Sequence, residues 1–184
     1  MIKHTQYERM MKYRFVPMTA QFANEMITGW KYDGDYAVYD YVNEAECLLA
    51  EEKWGIERFA ALDESGALMG ELTAEFFLKG ADDDGYVEAA RVKNYPKSQL
   101  ELWVGFGLRP NLVGQGHGAD FVKACVAFAK NFHDFGEGCI RLAVAAFNVR
   151  AVKTYQKAGF KPFERIEAEI GGEMQEIIWM QLEE

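Results

Sequence analysis

Residues 101–130, ELWVGFGLRPNLVGQGHGADFVKACVAFAK, hold a strand pattern, a glycine-rich turn and a helix pattern in direct succession. The apolar run from Leu100 to Leu108 predicts a central strand. Alternation puts Leu100, Leu102, Val104, Phe106 and Leu108 on one face, and Glu101, Trp103, Gly105 and Gly107 on the other. Two glycines on one face leave space for something to lie against the sheet. After Pro110, Gly114, Gly116 and Gly118 fall where the next helix starts. Glycine lets backbone N–H groups approach a ligand closely, and a helix start adds positive potential. Together they make an anion site, most often for a phosphate. A turn that needs positive φ and nothing more is spelled the same way. Behind it, Phe121, Val122, Cys125, Phe128 and Ala129 recur at the spacing of one buried helix face.

At 184 residues the chain predicts a single domain over 1–184. Its composition, 49% hydrophobic and 27% charged, is that of a globular protein. Apolar runs fall short of the roughly 20 residues of a membrane helix, and the N-terminus, MIKHTQYERMMKYRF, lacks the apolar core of a signal peptide. The expectation is a cytoplasmic protein without a membrane partner. A net charge of −9 argues against general nucleic-acid binding and leaves room for a cationic, amine-bearing substrate. Cys47, Cys125 and Cys139 match no zinc or redox spacing and read as small buried side chains. His4, His117 and His133 form no ligand pair, so no metal is expected.

Outward from the central segment, KYRFV at 12–16 reads as a first strand ended by Pro17, and Met18–Ile27 as a helix capped by Thr19. GWKYDGDYAVYDY, from Gly29 to Tyr41, is dense in aromatics; Trp30, Tyr32, Tyr36, Tyr39 and Tyr41 form either the wall of a pocket or the packing underside of a long connection. Asn43–Lys53 predicts a second helix. Residues 56–62 and 67–78 form a hairpin about Asp63-Glu64-Ser65-Gly66. The acidic run Asp82–Asp84 sits in a polar loop tip. A strand is expected at Ile140–Ala145, and a helix from Asn148 closed by Gly159. A last hairpin pairs Phe160–Ile170 with Met174–Leu182 about Gly171-Gly172.

Two motifs carry a resemblance. LRPNLVGQGHG is similar to the strand-end proline followed by Gln or Arg-x-x-Gly-x-Gly or Ala of the GNAT superfamily, the GCN5-related N-acetyltransferases. Gly116 and Gly118 hold the last two specified positions, Gly114 a third that is commonly glycine, and Val113 replaces the usual Arg or Gln. The second signature, Asn-x-x-Ala-x-x-x-Tyr-x-Lys-x-Gly-Phe, is filled throughout by Asn148, Ala151, Tyr155, Lys157, Gly159 and Phe160. Other phosphate loops fit less well: a Walker A loop needs Gly-Lys-Ser/Thr where the chain has Gly118-Ala119-Asp120, and a Rossmann turn is GxGxxG rather than GxGxG.

The resemblance implies an α/β fold, a mixed, mostly antiparallel sheet flanked by helices, with an acetyl-CoA cleft where two parallel strands splay apart. It implies that the cofactor arm pairs with main-chain groups of Phe106, Gly107 and Leu108. The pyrophosphate would sit on the N–H groups of Val113, Gly114, Gln115, Gly116, His117 and Gly118. Asn148 would cap its helix and touch the arm, and Tyr155 would protonate the departing thiolate. Glu101, a carboxylate in an apolar strand, is the candidate to accept the proton of an incoming ammonium, against the plainer reading that it sits at the wet end of the strand. The implied activity is N-acetylation of a primary amine, small molecule or peptide, by a monomer or homodimer. The alternative is a non-catalytic acyl-CoA-binding or sensor domain. Aromatic and acidic loops together point to a cationic acceptor with an apolar portion.

Overall fold

Alternating apolar patterns produce one eight-stranded sheet in the computed structural model, which describes residues 13–81 and 85–183. In chain order the strands are β1 (Arg14–Pro17), β2 (Arg58–Leu62), β3 (Leu68–Leu78), β4 (Tyr86–Val87), β5 (Leu100–Leu108), β6 (Cys139–Ala145), β7 (Phe160–Ile170) and β8 (Glu173–Leu182). Their order across the sheet is β1-β2-β3-β5-β6-β8-β7, with β4 paired to β3 off this path. β1 with β2, β3 with β4, β6 with β8 and β7 with β8 run antiparallel, whereas β5 and β6 run parallel. This is the mixed, mostly antiparallel α/β architecture expected. The N-terminal reading up to Lys12, including His4, and the run Asp82–Asp84 lie outside the described residues.

Two compact units make up the chain, and β3, β5 and one helix contribute to both. The first takes the residues up to Leu72 together with Phe106–Phe128. Its helix α1 (Ala20–Gly29) starts where expected, with Thr19 Oγ1 accepting from Phe22 N–H. Met18, Ala23, Met26, Trp30, Tyr41, Leu48, Ala60, Leu62 and Leu68 form its core. The aromatic connection therefore packs inward at both ends: Trp30 is 2% exposed, Tyr41 6%, and their rings meet edge to face at 5.7 Å.

The second helix is shorter than its sequence suggests. Residues 43–53 contain a 3-10 turn ending at Glu44, a single α turn, α2 (Ala45–Leu48), and another 3-10 turn, Glu51–Lys53. Leu48 is buried and Leu49 is not, so no apolar stripe exists to hold a longer helix on the core. Trp54 Nε1–H also donates to Leu48 O, taking a carbonyl that a continued helix would use. Cys47 is exposed here, unlike the buried role expected of it, whereas Cys125 is fully buried. β2 begins at Arg58 rather than residue 56 because Ile56 and Glu57 N–H both turn back to Lys53 O.

The second unit takes Thr73–Gly105 and the chain from Ala129 onward. Helix α3 (Gly118–Phe132) ends in it, and α4 (Val149–Ala158) lies in it. Asn148 Oδ1 caps α4 by accepting from Ala151 N–H, and Gly159 closes it at φ 107°. The last hairpin turns at Gly171 and Gly172, with φ of 62° and 85°. Its core includes Phe76, Leu102, Phe135, Leu142, Phe160 and Met180.

His133, after α3, packs its ring edgewise on Phe76 and Phe132, and its Nε2 is buried without a partner. Burial lowers its pKa from 6.5 to about 4. The unfolded chain thus takes up this proton below pH 6.5 while the native imidazole stays neutral until about 4. Stability is complete above that window and falls as the pH drops through it. Denaturant titrations across the window should give a shallower pH dependence for His133→Phe than for the unmodified protein; equal slopes would contradict it.

Candidate functional site

The run from β5 through the glycine turn into α3 lies within the first unit from Phe106 to Phe128. Arg109 N–H donates to Met69 O on β3. Main-chain groups of residues two apart on a strand point the same way, so Gly107 also addresses β3, and Phe106 and Leu108 project from the opposite edge. Leu108 O there accepts the Tyr32 hydroxyl at 2.9 Å. Of the three residues expected to hold a ligand arm by their main chain, Phe106 and Leu108 turn their groups away from β3 and Gly107 turns its own toward it.

The space at Gly107 is filled by the protein itself. A Cβ there would lie 1.6 Å from Tyr41 Oη. That hydroxyl donates to Glu71 Oε1 at 2.9 Å, and Glu71 Oε2 pairs with Arg58 Nη1 at 2.9 Å. All three are buried. Burial raises the Glu71 carboxyl above the usual range, opposed by the Arg58 charge and the Tyr41 hydrogen bond. Burial, then the adjacent Glu71, pushes the Tyr41 phenol well above its usual value, so it stays a hydrogen-bond donor. Gly105, in the second unit, likewise makes way for Thr73, whose Oγ1 would lie 2.4 Å from a Cβ.

The turn itself is open. Gly114 and Gly116 have φ of 80° and 86°, and nothing lies within 4 Å of where a Cβ would be. Val113 N–H donates to Pro110 O and Gln115 N–H to Leu112 O, so these two donors turn inward. The first helical hydrogen bond of α3 runs from Phe121 N–H to His117 O, which leaves the N–H groups of Gly118, Ala119 and Asp120 ahead of it. His117 serves the helix start with its carbonyl. The turn thus combines positive φ at Gly114 and Gly116 with the N–H groups of a helix start.

In the second unit, the parallel β5–β6 register runs only from Glu101↔Cys139 to Trp103↔Arg141, while β6 continues to Ala145. Glu101 is 3% exposed, not at a wet strand end. Its Oε2 accepts from Arg141 Nη1 at 2.7 Å and from Trp103 Nε1 at 3.3 Å, and its Oε1 is buried without a partner. Tyr155, half-buried on α4, meets Phe160 edgewise at 6.3 Å, one helical heptad from Asn148. Capping uses Asn148 Oδ1 and leaves its amide N–H groups to donate.

Sequence reasoning missed Arg58, Glu71 and Arg141. Each is a charge within, or at the start of, an otherwise apolar strand pattern, a signal akin to the one that singled out Glu101. Among the described residues no group of three or more His, Cys, Asp or Glu is placed to hold a metal, and no helix is long and apolar enough to cross a membrane.

The model of the Acetyltransferase (GNAT) family matches residues 26–160. Among solved structures, the chain is similar to a chimera of the spermidine N-acetyltransferase SpeG from Vibrio cholerae and hSSAT, at 15% identity over 93% of this chain and 94% of that one, TM-score 0.64. A mutant of Vibrio cholerae SpeG aligns at 16% identity over 93% of each chain, TM-score 0.63. A GNAT-family acetyltransferase from Bacillus anthracis aligns at 11% identity over 93% of this chain and 94% of that one, TM-score 0.63. At these identities the likeness is one of fold. No curated protein sequence matches the chain.

The Tyr41–Gly107 approach makes a direct prediction. Gly107→Ala should destabilise the protein by about 2 kcal/mol or more in urea unfolding through overpacking. The loss should be smaller when measured in a Tyr41→Phe background, because the clashing hydroxyl is gone. Additive losses would contradict the contact.

Proposed function

The chain belongs to the GNAT acetyltransferase family, and on that premise we propose that it transfers an acetyl group from acetyl-CoA to a primary amine of a small molecule or peptide. The observation that carries this reading is the continuous run of β5, open glycine turn and α3 N-terminus. A strand edge suits an extended arm bearing amides, and clustered N–H groups at a helix start suit a diphosphate.

Acetyl-CoA supplies the acetyl group as a thioester, already activated toward an amine. The N–H groups of Gly114, Gly116 and Gly118, with those of Ala119 and Asp120, would hold the diphosphate; Val113 and Gln115 shape the turn. Phe106 and Leu108 would pair with the arm through their main chain, and one of their N–H groups would face the carbonyl oxygen as negative charge develops on it. Asn148 would donate to the arm through its amide. Tyr155 would give its phenolic proton to the departing sulfur. Glu101 would take a proton from the incoming ammonium on Oε1, the oxygen left over by Arg141 and Trp103. A net charge of −9 favours the approach of a cationic acceptor.

An amine panel read out by release of free CoA thiol tests the activity. Preference for neutral or acidic acceptors would defeat the cationic assignment, and acetyl-CoA binding without turnover on any amine would indicate a sensor domain. Tyr155→Phe should lower turnover near neutral pH by about 10²-fold or more while acetyl-CoA affinity is largely kept; undiminished turnover would remove Tyr155 as the acid. Glu101→Gln keeps an acceptor for Arg141 and Trp103 and loses the base. Its deficit should shrink as the pH approaches the amine's own pKa, and a deficit independent of pH would refute proton acceptance.

A further inference from the structure

The end of the β5–β6 ladder differs on its two faces. On one, Leu102, Val104, Leu142 and Val144 are 0%, 5%, 1% and 7% exposed, so that face is sealed. On the other, Ala143 is exposed although β6 is an interior strand, beyond the space at Gly105 that Thr73 takes. A group that reaches the last paired residues along β5 therefore meets this open face.

Two indoles stand there. Trp103 lies opposite Arg141 and Trp179 opposite Ala143, so both side chains share the open face from strands on either side of β6. Their rings meet edge to face at 5.1 Å and 79°. Both are held from behind. Trp103 donates to Glu101 and touches Phe77 at 6.3 Å. Trp179 leans on Phe163 at 6.2 Å, and Arg141, ion-paired to Glu101, lies 4.4 Å over the Phe163 ring. Swinging either indole aside breaks contacts to several neighbours, so the pair forms a fixed wall.

We propose that Trp103 and Trp179 set the acyl-chain length this protein takes, closing the acyl end of the site behind an acetyl group and excluding longer chains. The proposal rests on the reading above, in which the phosphates sit at the glycine turn and the arm runs back along β5. From Leu108 to Trp103 is five residues, about 17 Å of strand, and the thioester end then arrives where the ladder closes. Trp103 and Trp179 are specificity-determining residues in this account, and Glu101 and Arg141 position Trp103.

The test is a comparison of acetyl-CoA and butyryl-CoA, in binding by calorimetry and in kcat/KM with a responsive amine. The unmodified protein should prefer acetyl-CoA by about tenfold or more, since each methylene an apolar pocket cannot seat costs about that much. Trp179→Ala should erase most of this preference by gaining butyryl-CoA rather than by losing acetyl-CoA. Trp179→Phe, which keeps a ring against Phe163, should reduce it less and serves as the variant to measure if the alanine protein does not fold. A preference unchanged in either folded variant, or equal binding of both thioesters by the unmodified protein, overturns the wall and leaves the acetyltransferase reading standing. Failure of every acyl-CoA to bind the unmodified protein overturns both.

Discussion

The parallel ladder between β5 and β6 stops at Trp103↔Arg141, and much of the rest of the structure answers to that stop. Backbone N–H and C=O groups that leave a ladder need other partners when they are not in water. On its β3 side β5 is paired through to Arg109 N–H, and the groups of Phe106 and Leu108 project from its other edge. The Tyr32 hydroxyl answers one of them by donating to Leu108 O. An ion pair, Glu101–Arg141 at 2.7 Å, sits at the final rungs, with both side chains largely withdrawn from water. Removing one member of such a pair strands a buried charge at a cost of about 3–5 kcal/mol. The end of the ladder is thus fixed by this ion pair.

A second constraint lies under Gly107 in the first unit. Arg58, Glu71 and Tyr41 form a buried chain of charge-assisted hydrogen bonds beneath β5. Tyr41 belongs to the aromatic connection, so this network ties that segment, with its 3-10 turns, to β2 and β3 beside the strand that leads into the glycine turn. Glycine at 107 is the consequence: the strand comes too close to the tyrosine for any Cβ.

Local chemistry made much of this legible. Thr19, Asn148 and Gly159 act as caps because their side chains or φ freedom satisfy helix ends, and those effects need no tertiary context. Both hairpins followed from turn residues, and the strand-turn-helix run of 101–130 announced its own order. The short helix at residues 43–53 was not legible, because Trp54 and the burial of Leu48 alone decide it. Gly105 and Gly107 read as clearance for a ligand, whereas Thr73 and Tyr41 use that space; a glycine on a strand reveals a close approach but not what approaches. The charged partner of Glu101 was equally hidden, since Arg141 comes from a strand that only the sheet order brings alongside, whereas Arg58 and Glu71 meet across the first hairpin.

In the proposed function the glycine turn is a diphosphate site fed by the edge of β5. Thermal unfolding with acetyl-CoA, set against the same concentration of free acetate, measures this directly. A ligand at 100 times its dissociation constant adds about 2.7 kcal/mol to a protein that binds it only when folded. Acetyl-CoA should raise the melting temperature by several degrees, and acetate should leave it unchanged. No shift with acetyl-CoA, or an equal shift with acetate, would contradict the account.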